Sequence, residues 1–216
     1  MTSQESHPYG HPSPDEHRRF LISFLFNGSM APALKECVKR AYLDFSRTAD
    51  GIGKGVDASL RTDTAHALVL EILTAATLTP WTQDVYDLWH KEQCAVIIRH
   101  YADRAYTAFT PGQAQKWLNM AVKYALCLHG AEMLPLSRAA SLWRVAHAPL
   151  DNYILDALCT EHGAQPLDCT WSRIATYEDY FEVQRWIRTK FAPRPALDVE
   201  FRVWLKAAAQ LRGHVQ

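Results

Sequence analysis

Hydrophobic positions recur at three- and four-residue spacing along most of this chain, and strict apolar–polar alternation is absent. The pattern predicts helices in series. Asp15 and Glu16 open one that runs to Phe26 and stops at Asn27-Gly28. Pro32 stands in the first turn of a second, which reaches about Ser46 with Leu34, Cys37, Val38, Ala41, Tyr42 and Phe45 on one face. The glycine-rich stretch from Ala49 to Val56 reads as a loop. A helix from Asp63 to Ala76 follows, with a stop at Thr79-Pro80. Thr82 then caps a long helix through Val85, Leu88, Trp89, Val96, Ile97, Tyr101 and Tyr106. Residues 113–128 are apolar nearly all round, which predicts a buried helix. Further helices run from Asp151 to about Glu161, from a Thr176 cap through Ile187, and from Pro195 through Leu211. The fold class is all-α. Residues 1–14 hold three prolines and two histidines without an apolar period, so they read as a flexible arm before one helical domain over 15–216.

Composition narrows the partners. The chain has 216 residues, 48% of them hydrophobic, enough for one sizeable core or two small lobes sharing a cleft. The formal net charge is zero, which excludes a global attraction to nucleic acid. From Arg185 to the C-terminus, however, seven Lys/Arg face only two acids, so Arg185, Arg188 and Lys190 are candidate phosphate contacts. The five cysteines are odd in number and contain no Cys-x-x-Cys pair. That argues against a disulfide framework, a zinc knuckle or a clustered iron–sulfur loop, so no metal or cofactor is expected and a reducing cytoplasm is. The start is polar, and the apolar run from Phe20 to Phe26 is too short to span a bilayer.

The chemistry concentrates in two stretches. Residues 109–116 read Phe-Thr-Pro-Gly-Gln-Ala-Gln-Lys, a Pro-Gly turn opening a helix with Lys116 on its first turn. In a helix-hairpin-helix the glycine allows a DNA backbone to approach, and the turn amides bind phosphate. Pro111, Gly112, Gln113, Ala114 and Gln115 are therefore candidate DNA contacts. Residues 149–151 read Pro-Leu-Asp ahead of an apolar run, which places Asp151 at a helix N-cap. An amine such as Lys116 can attack C1′ of a deoxyribose and expel the base, leaving a Schiff base. A carboxylate such as Asp151 can hold the lysine, shuttle its proton or offset charge on an oxocarbenium-like sugar.

This arrangement resembles the helix-hairpin-helix DNA glycosylase superfamily, and within it the archaeal 8-oxoguanine glycosylases. Residues 109–116 are similar to the pattern Leu-Pro-Gly-x-Gly-x-Lys, departing at the second glycine, which is Ala114 here. Lys123 follows Lys116 by seven residues along an apolar helix, and Pro149-Leu150-Asp151 comes after a comparably long gap. The resemblance covers about residues 85–160. It implies a two-lobed helical fold and excision of a modified base from double-stranded DNA, with Lys116 and Asp151 catalytic and no obligate protein partner. Trp117, Asn119 and His147 are the nearest candidates for a pocket around a flipped base. Oxidised guanine follows from the resemblance. The departure at Ala114 motivates an alternative, a bulky phage-modified base such as glucosylated hydroxymethylcytosine removed in anti-phage defence.

Two other motifs compete. Gly51-Ile-Gly-Lys-Gly55 lacks the spacing and Gly-Lys-Ser/Thr ending of a nucleotide-triphosphate loop. Arg61 and His66 have the Arg-x4-His spacing of HEPN-type ribonucleases. A non-enzymatic helical DNA-binding module, with Lys116 only a phosphate contact, is the remaining alternative.

Overall fold

The computed structural model describes residue 20, residues 33–52, residue 54 and residues 58–213, with the side chains at 58, 60, 61 and 207–213 excepted. The predicted N-terminal arm, the 15–26 helix apart from helical Phe20, and Pro32 lie outside the described residues. Within them the chain is all-helical, with no strand. In order come α1 (Ala33–Phe45), a 3-10 turn (Ser46–Thr48), α2 (Ala58–Leu78), α3 (Gln83–Ala102), α4 (Pro111–Gly130), α5 (Ala139–Val145), α6 (Asn152–His162), a second 3-10 turn (Trp171–Arg173), α7 (Tyr177–Phe191) and α8 (Ala196–Gly213). No helix among the described residues is long and apolar enough to cross a membrane.

Local chemistry sets most of these boundaries. Thr110 accepts the Gln113 N–H while the Gln113 side chain accepts the Thr110 N–H, a reciprocal capping box ahead of Pro111. Asp151 and Thr176 cap α6 and α7 as the sequence predicts, and Gly163 stops α6 in the left-handed conformation at φ 77°. Thr82 takes the cap position of α3, but its side chain makes no cap hydrogen bond. That helix also ends at Ala102, short of Tyr106. Ala105 turns left-handed, and the Tyr106 hydroxyl reaches back to donate to Asp50 O at 3.0 Å. The short α5 was not predicted.

Helix α4 is the hub. It packs on α1, α2 and α3 along one flank and on α5, α7 and the Trp171 turn along another, while α5, α6 and α7 gather on α8. Residues 112–123 of α4 are buried without interruption, so this stretch shows no polar face of the surface-helix kind. Ala114, Ala121 and Ala125 are fully buried, and their small side chains let neighbouring helices approach. On the α1 flank lies an aromatic core. Trp117 meets Tyr42 and Phe45 at 5.3 Å and donates its indole N–H to Val38 O at 3.0 Å, while Tyr101 stacks on Phe109 at 4.4 Å.

Candidate functional site

Lys116 is the sixth residue of α4, because the helix starts at Pro111; it therefore stands in the second turn, not the first. Its Nζ donates to Asp151 Oδ2 at 2.8 Å across 35 residues of sequence. The Lys116 side chain is only 5% exposed and that of Asp151 15%. The other carboxylate oxygen, Oδ1, accepts the Ile154 N–H at 2.9 Å. Asp151 thus caps α6 and pairs with Lys116 at once, and the cap fixes which oxygen faces the amine. Lys116 also lies 5.9 Å from the centre of the Trp171 ring.

The pair opens onto a cleft of about 660 Å³ whose walls come from α1, α4, α6, α8 and the Trp171 turn. A second ion pair lies in it. Lys123 donates to both Glu200 oxygens, at 2.8 and 2.7 Å, with the two side chains 8% and 1% exposed. The Lys123 ammonium sits 5.5 Å from the centres of both the Phe201 and Trp204 rings. Burial pushes the Glu200 carboxyl above its ordinary range, and the Lys123 charge pulls back against that rise. At the α1 wall, Tyr124 donates to Asp44 at 2.7 Å, and Arg40 approaches Asp44 at 3.4 Å. The cleft therefore combines two lysine–carboxylate pairs, the faces of Trp171 and Trp204, and a charged rim that includes Arg40 and Arg47.

The hairpin residues take a different place from the one predicted. The Gly112 N–H donates to Ile174 O at 3.2 Å, the Gln113 N–H to Thr110 Oγ1 and the Ala114 N–H to Thr110 O, while Pro111 has no N–H. The amides expected to hold phosphate already have protein partners. Gly112 is buried under the second 3-10 turn, where a Cβ would lie 2.0 Å from Trp171 O. The glycine admits a protein backbone at the point where the sequence reading brought in DNA. Gln113 ties the first 3-10 turn to α4 through Thr48 O at 2.9 Å, and Gln115 is fully buried.

The residues suggested for the base pocket do not line the cleft. Trp117 belongs to the aromatic core. Asn119 and His147 join a buried polar network instead. The Tyr177 hydroxyl donates to His90 Nδ1 (2.7 Å), His90 Nε2 to Asn119 Oδ1 (2.9 Å), and Asn119 Nδ2 to the Tyr180 hydroxyl (2.8 Å). Tyr180 donates to His147 Nδ1 (2.8 Å), and His147 Nε2 to Asp87 (2.8 Å). The Asn119 and Asp87 oxygens fix Nε2 as the donor on each ring, and with both imidazoles neutral the donations run in this single direction. Burial favours the same state, lowering both histidines from their ordinary value. Arg188, expected at a phosphate, instead closes the network on Asp87 at 2.7 Å. Burial alone would raise the Asp87 carboxyl, but hydrogen bonds from His147 and Arg188 hold it at about 2. Arg185 is exposed and pairs with Glu182, and Lys190 is exposed on the last turn of α7. His66 Nδ1 meets Thr62 O at 2.9 Å and its ring lies against Tyr42 and Trp117, while the Arg61 side chain is outside the described residues.

Glu200 was missed by the sequence reading, where it counted only as one of two acids in a basic tail. Its signal was present: Leu197, Glu200, Phe201 and Trp204 share a helix face at i, i+3, i+4 and i+7, and a carboxylate on an apolar face needs a buried partner. Trp171 and Gln184 carried no comparable signal. Comparison with protein-family models, with curated proteins and with solved structures finds no match to this chain.

Proposed function

We propose that this protein is a DNA glycosylase that takes a modified base from double-stranded DNA into the cleft and breaks its bond to the sugar. The observation that carries the reading is the buried Lys116–Asp151 pair, 2.8 Å apart, on the floor of a cleft walled by aromatic rings. A lysine used as a nucleophile needs a nearby acceptor for its proton, and Asp151 stands within transfer distance. The amine then bonds to C1′, the C1′–N bond breaks, and the electron pair leaves with the base. Where the C1′–N bond breaks before that proton is transferred, the still-ionised carboxylate faces the positive charge that develops on the sugar.

The cleft supports the substrate side. At about 660 Å³ it falls within the usual range for small-molecule sites, roughly 300–1,000 Å³. Trp171 and Trp204 offer faces for a base, and the Lys123–Glu200 pair offers a donor and an acceptor for its edge. The open rim bearing Arg40, Asp44 and Arg47 has room and hydrogen-bonding groups for a polar substituent, which favours a bulky modified base alongside oxidised guanine. No observation favours the Arg61/His66 ribonuclease.

The test is a duplex assay with 8-oxoguanine, uracil or glucosylated hydroxymethylcytosine, followed by hot alkali. Alkali-sensitive sites should form and should disappear in Lys116→Gln and Asp151→Asn, with DNA binding retained. Borohydride should trap a covalent adduct on Lys116. Undiminished cleavage by both variants would remove this reading.

A further inference from the structure

Residues 145–150 are buried in succession, yet 146–150 belong to no helix and no strand. A buried extended chain must still find partners for its peptide groups. Three glutamines supply several of them. Gln83 Nε2 donates to Val145 O at 3.1 Å. Gln184 donates to Ala148 O at 2.8 Å and accepts the Ala148 N–H at 2.9 Å. Gln115 donates to Leu150 O at 3.2 Å and accepts the Leu150 N–H at 3.3 Å. A carboxamide has the donor and acceptor of a peptide unit, so each two-bond clamp takes the place of a neighbouring strand.

The Gln115 clamp has a particular address. Gln115 precedes Lys116 and Leu150 precedes Asp151, so the clamp joins the two backbones one residue before the ion pair. The clamp is itself held. Gln115 Oε1 also accepts Asn119 Nδ2 at 3.1 Å, and Asn119 is fixed by His90 and Tyr180. Gln115 is fully buried and forms no part of the cleft wall, so it acts on the site only through its neighbours. We infer that Gln115 is a positioning residue: by holding the Leu150 backbone it sets the Asp151 carboxylate against Lys116. The catalytic consequence rests on the glycosylase reading; the positioning itself does not.

Two variants test this. Gln115→Met keeps the bulk and loses the clamp. Gln115→Glu keeps the shape, and its neutral acid can donate O–H to Leu150 O, whereas its carboxylate repels that carbonyl. Amide hydrogen exchange at Leu150 and Ile154 reads the position of the strap and of the Asp151 cap without any substrate. Single-turnover excision at saturating protein reads the chemistry. Faster exchange at both amides is expected in Gln115→Met, with excision slower by on the order of a hundredfold and DNA affinity unchanged. Excision by Gln115→Glu, taken relative to wild type at the same pH, should be highest at acid pH and fall as pH rises. Wild-type exchange at Ile154 in both variants would overturn the inference whatever the activity. Faster exchange with undiminished excision would overturn it as well. Faster exchange in a chain whose wild type excises none of the tested bases would support the positioning and count against the glycosylase reading alone.

Discussion

Replacing Gly112 by alanine sets two effects of opposite sign against each other. Gly112 is the second residue of α4, and in an unencumbered helix alanine would stabilise by about 1 kcal/mol through propensity. Here the added Cβ would lie 2.0 Å from Trp171 O, 3.1 Å from Trp171 C and 3.3 Å from Ile174 Cβ. The first two contacts are backbone, so no rotamer change relieves them. The turn must retreat by more than about 1 Å to reach ordinary contact. Overpacking of this kind costs about 1–3 kcal/mol, and losing the Gly112 N–H to Ile174 O bond adds about 1 kcal/mol. Set against the propensity gain, the net expectation is destabilisation of about 1–3 kcal/mol, read as a lower urea midpoint. Because Trp171 sits over Lys116, the displaced turn should also slow excision in molecules that remain folded. An unchanged or raised midpoint in Gly112→Ala would refute this account and return Gly112 to an open turn available to DNA.

Two further outcomes follow from buried charge. His90 and His147 titrate below their ordinary value because they are buried, so the unfolded chain binds more protons and stability should fall as pH drops below about 6.5. Asp87, held at about 2, adds a second loss only as pH falls from the ordinary carboxylate value toward about 2. Urea midpoints should be level above about pH 7 and decline beneath it, more gently in His147→Gln; a level profile down to about pH 5 would contradict the neutral network. Lys123→Met strands the Glu200 carboxylate in a buried site, an expected loss of about 3 kcal/mol, whereas Lys123→Met with Glu200→Gln should recover more than half of it. Equal stability of the single and double variants, measured by urea unfolding, would show that the pair is not coupled.

The elements most legible in the sequence were those with polar punctuation. Asp151 and Thr176 announced their helices because a cap is a local transaction between a side chain and the next turn, and Pro111 announced α4. The Lys116–Asp151 pair was legible as two residues in a familiar order, and the fold brings their side chains together. What could not be read was the company each residue keeps. Residues 112–123 of α4 are all buried, so the pattern there has no polar face to show which side chains meet the cleft. Trp117, Asn119 and Lys123 lie on that one helix, yet they enter an aromatic core, a polar network and the cleft respectively. Lys123 and Glu200 are 77 residues apart, and no local rule joins them. The 146–150 segment lacked any period because its partners are side chains, not a strand.

The enclosure of α4 divides the molecule into parts with different freedom to vary through descent. A substitution in residues 112–123 disturbs several neighbours at once, so the lysines that would do chemistry are tied to an intolerant core. Much of the surrounding wall comes from other elements, with Arg40 and Asp44 on α1 and the exposed Trp204 and Leu205 on α8. Those positions can exchange side chains without reopening the hub. A lineage built on this plan can change what it accepts while keeping how it reacts, and relatives should diverge first along the rim and last along the central helix.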